Sequence, residues 1–157
     1  GGAEIVAWLL DHAWVGLSAI QLGVAEEALR RTADYTRTRK QFGKPIASFQ
    51  GVALRAADAY IDLEAMRATL EQAAWRLSAD LPARAEVAAA KWWACRGGQR
   101  VVHTAQHLHG GIGSDIEYPI HRFFLWSKQN ELLFGGARQQ VARLGAQLVS
   151  DAHGAEA

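Results

Sequence analysis

Two short stretches carry the residue types that could do chemistry. The first is Arg39-Lys-Gln-Phe-Gly-Lys-Pro-Ile-Ala-Ser-Phe-Gln50. A guanidinium such as that of Arg39 makes bidentate, charge-assisted hydrogen bonds to a diphosphate. Phe42 and a tight turn at Gly43 would hold it in place, and Gln50 can both donate and accept, as recognition of a nucleotide requires. The second is His107-Leu-His-Gly-Gly-Ile-Gly-Ser-Asp-Ile-Glu-Tyr-Pro119. Gly110 and Gly111 let backbone approach a ligand closely. Each stretch also has a plainer reading. Basic residues at a helix C-terminus meet the helix dipole favourably, Phe42 can be a core anchor, and a glycine pair is an ordinary helix C-cap. The residues alone leave both readings open.

Other candidates are weaker. His103, His107 and His109 suggest a metal, and the first two are four apart and share a helix face. No acidic or thiol third ligand accompanies them and no His-Glu-x-x-His pattern occurs, so no metal site is expected. Trp92 and Trp93, with Trp14, Trp75 and Trp126, are expected as packing or interface groups.

The elements that must position these stretches are helices. Val6, Leu10, Ala13, Leu17, Ile20, Val24 and Ala28 recur in steps of three and four, which predicts one helix from Ala3 to about Arg37. Gly43 and Pro45 stop it. A second helix starting near Ser48 carries Ala56, Tyr60, Leu63, Met66, Leu70, Ala74 and Leu77. Asp80 is expected as the next N-cap with Pro82 in the first turn. The third helix runs to about Leu108 with Val87, Ala90, Ala94, Val101, Ala105 and Leu108 on one face. A short helix comes after Pro119, and a last one from about Ala137 to Val149 carries Val141, Leu144 and Leu148. No strand is expected. The fold class is all-α, an up-down four-helix bundle. Ile5, Leu9, Val15 and Leu29 lie off the main stripe of the first helix, so more than one face is apolar and further partners are expected.

Bulk properties set bounds. A chain of 157 residues fits one domain, and half of it is hydrophobic. The net charge of +1 nominates neither nucleic acid nor an anionic membrane. One cysteine, Cys95, makes no internal disulfide and fits a reducing compartment, so a cytoplasmic location is expected. No uninterrupted run of 18 apolar residues occurs, so no membrane span is expected. The chain opens Gly1-Gly2 rather than Met and is expected to be a cut or processed piece.

Taken together, order and spacing of the two stretches resemble the acyl-CoA dehydrogenase family, in its C-terminal helical domain. The first stretch is similar to the family's Arg-x-x-Phe-Gly-x-x-x-x-x-x-Gln signature. The resemblance implies that Arg39 contacts the pyrophosphate of FAD, that Phe42 packs near its adenine end, and that Gln50 also touches the dinucleotide, all in the site of a neighbouring subunit. Gln41 occupies a position that often touches the cofactor. The second stretch resembles Gln-x-x-Gly-Gly-x-Gly-x-x-x-Glu-x-Pro, with Gly110 and Gly111 as the glycine pair. His107 stands where the family has Gln, and Gln106 sits one residue early. Glu117 is expected to brace the loop.

The same comparison locates a loss. Removal of the α-proton of an acyl-CoA thioester needs a carboxylate. The family's Glu lies just before the last helix. Counting from Gly111 puts Phe134 there, or Gly135 with a shift of one. The alternate family position, on the first helix, falls at Ala13 with Trp14 beside it. None can take a proton. Glu131 and Asp11 are the nearest acids. The resemblance covers nearly the whole chain, residues 1–157, and implies that an N-terminal helical domain and a middle β-domain are absent. It implies the base-lacking half of a heteromeric or fused enzyme, in a homo- or hetero-oligomer, with an acyl-CoA thioester as substrate of the complete enzyme and an electron-transfer flavoprotein as acceptor. The alternatives are a flavin monooxygenase on the same fold, or an assembly bundle without flavin.

Overall fold

The computed structural model describes residues 1–154. Five helices form: α1 (Gly2–Thr38), α2 (Gln50–Ser78), α3 (Arg84–His109), α4 (Ile120–Leu132) and α5 (Ala137–Gly154). The expected up-down helical bundle is what they build. α3 is its centre and packs against α1, α2, α4 and α5, while α1 also packs against α2 and α4. Three apolar clusters run along the α1–α3 seam. Leu22, Leu29, Leu63, Met66 and Val101 make one. Trp14, Ala73, Val87 and Ala90 make the second, and Val24, Ala28, Val102 and Ile120 the third. Each fully buried Val, Leu or Met contributes about 1.5–3 kcal/mol.

The helical period of the sequence holds throughout, but its phase does not. All six apolar positions expected on α3 are buried. On α1, Val6 and Ile20 are exposed, and the buried row runs instead through Trp14, Ser18, Gln21, Ala25, Ala28 and Thr32. Polar side chains are on that row because they find partners. The Ser18 hydroxyl donates to the Trp14 carbonyl and Thr32 to the Ala28 carbonyl, which removes the cost of burying them. Tyr60 on α2 and Val141 and Leu148 on α5 are exposed as well. By length and composition, with a mean hydropathy of 1.4 over its most apolar window, α1 is long and apolar enough to cross a membrane. Asp11 and His12 interrupt the segment, so no unbroken apolar run marks it in the sequence.

Two local expectations are corrected. A short antiparallel hairpin, β1 (Lys40–Gln41) with β2 (Lys44–Pro45), interrupts the otherwise helical fold. Asp80 is not the N-cap of α3, whose cap is Ala83. Asp80 takes φ 51 and closes α2 instead. Its N–H donates to the Leu77 carbonyl and the Leu81 N–H to Arg76, the paired bonds of a Schellman motif, in which a short polar residue tolerates the left-handed position.

A buried polar seam ties α1, α3 and α4. Gln21 Nε2 donates to Ser127 Oγ at 2.5 Å, and Asn130 Nδ2 donates to Gln21 Oε1 at 3.1 Å. Lys91 Nζ donates to the Asn130 carbonyl at 2.6 Å and Cys95 Sγ to the Glu131 carbonyl at 3.5 Å. These carbonyls are among the last four of α4, which lack helical partners of their own. Burial pulls the Lys91 ammonium below its ordinary range.

Candidate functional site

The first chemical segment is shaped by its hairpin. Gln41 faces Lys44, so Phe42 and Gly43 are the two turn residues, at φ 52 and 77. Positive φ at both is the type I′ turn, the geometry that matches strand twist. Phe42 is a poor residue for it, at about 1–2 kcal/mol, and its ring is 92% exposed. The core-anchor reading of Phe42 therefore fails, and its ring neighbour is Phe49, with centroids 6.2 Å apart and planes nearly perpendicular. Arg39 caps α1 in extended backbone, and its carbonyl accepts from the Ile46 N–H at 2.9 Å.

The second segment ends α3. Gly110 takes φ 64 and ψ −144, which an L residue does not adopt without strain, and turns the chain into a 3-10 turn over Gly110–Ser114. Asp115 braces the next bend of the chain, its Oδ1 accepting from the Glu117 N–H at 2.9 Å. The brace is thus Asp115, and the Glu117 carboxylate has no partner among the described residues.

The two segments, far apart in sequence, wall one cleft of about 560 Å³. Arg39 lines it from the end of α1, Gln41 and Phe42 from the hairpin, and His107, Gly110 and Gly111 from the end of α3. Gln50, the first residue of α2, lies between two lining residues, Phe49 and Gly51, without lining the cleft itself. Sequence reasoning missed Tyr35, Phe49, Arg55 and His109.

No carboxylate of the described residues lines the cleft. The guanidiniums of Arg39 and Arg55 have no ion-pair or hydrogen-bond partner among the described residues. A β-carbon added at Gly110 or Gly111 would meet nothing within 4 Å, so their backbone faces open space. Free guanidiniums, an aromatic wall and bare backbone suit a nucleotide diphosphate. Among the described residues no group of three His, Cys, Asp or Glu is placed to share a cation.

His109 is buried at the cleft wall, stacked on Tyr35 with ring centroids 4.4 Å apart. Its Nδ1 is 2.7 Å from the Ala105 carbonyl, which only an N–H can satisfy, and Nε2 has no partner. Burial pushes its pKa below the ordinary value of 6.5. The unfolded chain then binds the proton more readily than the folded one. Stability is full above the unfolded pKa and falls as pH drops below it. Thermal melts between neutral and mildly acidic pH are expected to show a shallower loss in His109→Phe than in the parent. Equal slopes would show that His109 does not carry this pH dependence.

The positions counted as the lost base also converge. Trp14 Nε1 donates to the Phe134 carbonyl at 2.9 Å, so the alternate position on α1 and the turn after α4 adjoin. Phe134 and Gly135 take φ 54 and 100. A side chain at Gly135 would be strained and would overlap Gln139 Oε1, so Phe134 is the one of the two with room for one. Arg143 lies over the Trp14 ring, 4.2 Å from its centroid. The nearby acids are engaged or turned away. Glu131 is bound to Lys128 at 2.6 Å. Asp11 lines a different cavity beside Arg76 and Arg84, and burial raises its pKa.

Residues 1–149 match the family described as acyl-CoA dehydrogenase, C-terminal domain. The chain belongs to the acyl-CoA dehydrogenase family. It is 47% identical to the acyl-CoA dehydrogenase FadE27 of Mycobacterium tuberculosis, over 94% of this chain and 42% of that protein. The ChsE4–ChsE5 complex of Mycobacterium tuberculosis has a chain of 49% identity that superposes with a TM-score of 0.90, over 93% of this chain and 40% of that one. A Tcur3481–Tcur3483 steroid ACAD variant gives the same identity and coverage with a TM-score of 0.89. The chain thus spans about two-fifths of the length of these acyl-CoA dehydrogenase relatives. Family homologues are FAD enzymes, and the cleft between the hairpin and the end of α3 has the chemistry such a group needs on its phosphate side.

Proposed function

We propose that this domain lends the phosphate-binding arm of a shared FAD site in a heteromeric acyl-CoA dehydrogenase whose partner subunit supplies the base. The observation that carries the reading is the acid-free cleft, in which Arg39, Phe42, His107 and the Gly110–Gly111 pair come together from segments some 70 residues apart. Arg39 holds the diphosphate, Phe42 covers the adenine end, and the Gly110 and Gly111 backbone admits the dinucleotide closely. FAD supplies the hydride acceptor for α,β-dehydrogenation of an acyl-CoA thioester. No proton acceptor of this chain stands at Ala13 or Phe134, which supports assigning proton removal to the partner. The two-component names of ChsE4–ChsE5 and Tcur3481–Tcur3483 support a heteromer, and the second supports a steroid acyl group as one substrate class. An electron-transfer flavoprotein is the acceptor implied by the family.

The test is flavin content. The complete gene product, purified with its partner subunit, is expected to show bound FAD by absorbance and mass. Arg39→Ala is expected to lower FAD affinity by about one to two orders of magnitude, the worth of one or two charge-assisted hydrogen bonds. A folded complex that holds no flavin and takes none up from added FAD sinks the proposal.

A further inference from the structure

Arg55 has no role in the FAD site as proposed. It lies on the second turn of α2, on the face that also presents Gly51 and Val52 to the cleft, whereas Arg39 reaches the cleft from the end of α1. Both residues line the same cleft, and no carboxylate of the described residues lines it with them. The nearest acids serve elsewhere. Asp34 pairs with Arg30 and Arg37, and Asp62 is held by Arg100 through two hydrogen bonds. Asp58 borders the neighbouring cavity, which Arg55 also reaches, but makes no ion pair with it.

Two free cations at one cleft repel until an anion lies between them. A single phosphate is reached well by one guanidinium fork. A diphosphate, with two linked anionic centres, gives each guanidinium its own set of oxygens. We propose that Arg55 is the second diphosphate contact of this cleft, so that the site selects a dinucleotide diphosphate over a monophosphate. This rests on the proposed FAD site and adds to it a residue and a selectivity.

The experiment measures affinities of the complete flavoprotein complex, stripped of flavin, for FAD, ADP and AMP by titration calorimetry. The parent is expected to prefer ADP to AMP. Arg55→Ala is expected to weaken FAD and ADP by about tenfold or more while AMP changes little, so the ADP preference collapses. Arg55→Lys keeps the charge and loses the fork, and is expected to fall between. Arg55 is exposed, so circular dichroism should be unchanged. Arg37→Ala removes an exposed cation outside the cleft and is expected to leave all three affinities alone. If Arg55→Ala binds FAD and ADP like the parent while Arg39→Ala does not, Arg55 is no contact and the FAD site stands. An equal loss in Arg37→Ala would reduce the effect to general charge and overturn the assignment. A parent complex that binds neither FAD nor ADP overturns the FAD site and this inference together.

Discussion

In the complete flavoprotein with the partner subunit's own base removed, Phe134→Glu is expected to raise exchange of the thioester α-proton by about 10²–10⁴-fold, the usual worth of a positioned general base. The backbone there already takes φ 54, a left-handed position that Phe tolerates only with strain, so Glu inherits a geometry it need not create. The Trp14 indole fixes the Phe134 carbonyl from α1, and the turn should survive the change. The ring of Phe134 is 56% exposed, so no large core contact is lost with it. Exchange is followed by mass spectrometry of a bound acyl-CoA in deuterated buffer. A folded, flavin-loaded variant with the parent's exchange rate would mean that the α-carbon does not come to this turn.

Gly98→Ala is expected to be among the most destabilising single changes in the bundle. Its β-carbon would overlap Gln21 Nε2 and come within 2.8 Å of Gln21 Cδ and Cγ. Gln21 cannot swing away freely, because it links Ser127 on one side and Asn130 on the other in a seam closed to water. Leaving such groups without partners costs about 1–3 kcal/mol each. The gain in helix propensity from Gly to Ala returns about 1 kcal/mol. A net loss of about 2–4 kcal/mol corresponds to a fall in Tm of about 5–15 °C for a chain of this size. A melt within a degree of the parent would show that the seam re-forms around the methyl group.

The legible part of this fold is the part written in apolar repeats. α3 is legible because Val87, Ala90, Ala94, Val101, Ala105 and Leu108 are the residues it buries. α1 is legible in length but not in face, because Ser18, Gln21 and Thr32 are buried polar residues whose partners are either one turn away or on another helix. No local pattern announces a bond between Gln21 and Ser127, which are 106 residues apart. Lys91 is likewise unreadable as a core residue, since only the end of α4 explains its burial. The cleft is legible through resemblance in Arg39, Phe42, His107, Gly110 and Gly111. Arg55 and His109 are not, because their part in it comes from helix packing that brings the start of α2 and the end of α3 to one place.

The hairpin tip adds a point about timing. Phe42 is held out by the backbone of a two-residue turn, not by neighbours that would have to move aside. The backbone entropy of presenting that ring is therefore lost when the chain folds, while the exposed ring keeps its rotamer freedom until something covers it. Whatever meets Phe42 has no backbone to order at the tip, which favours docking without rearrangement and leaves more of the contact energy as affinity.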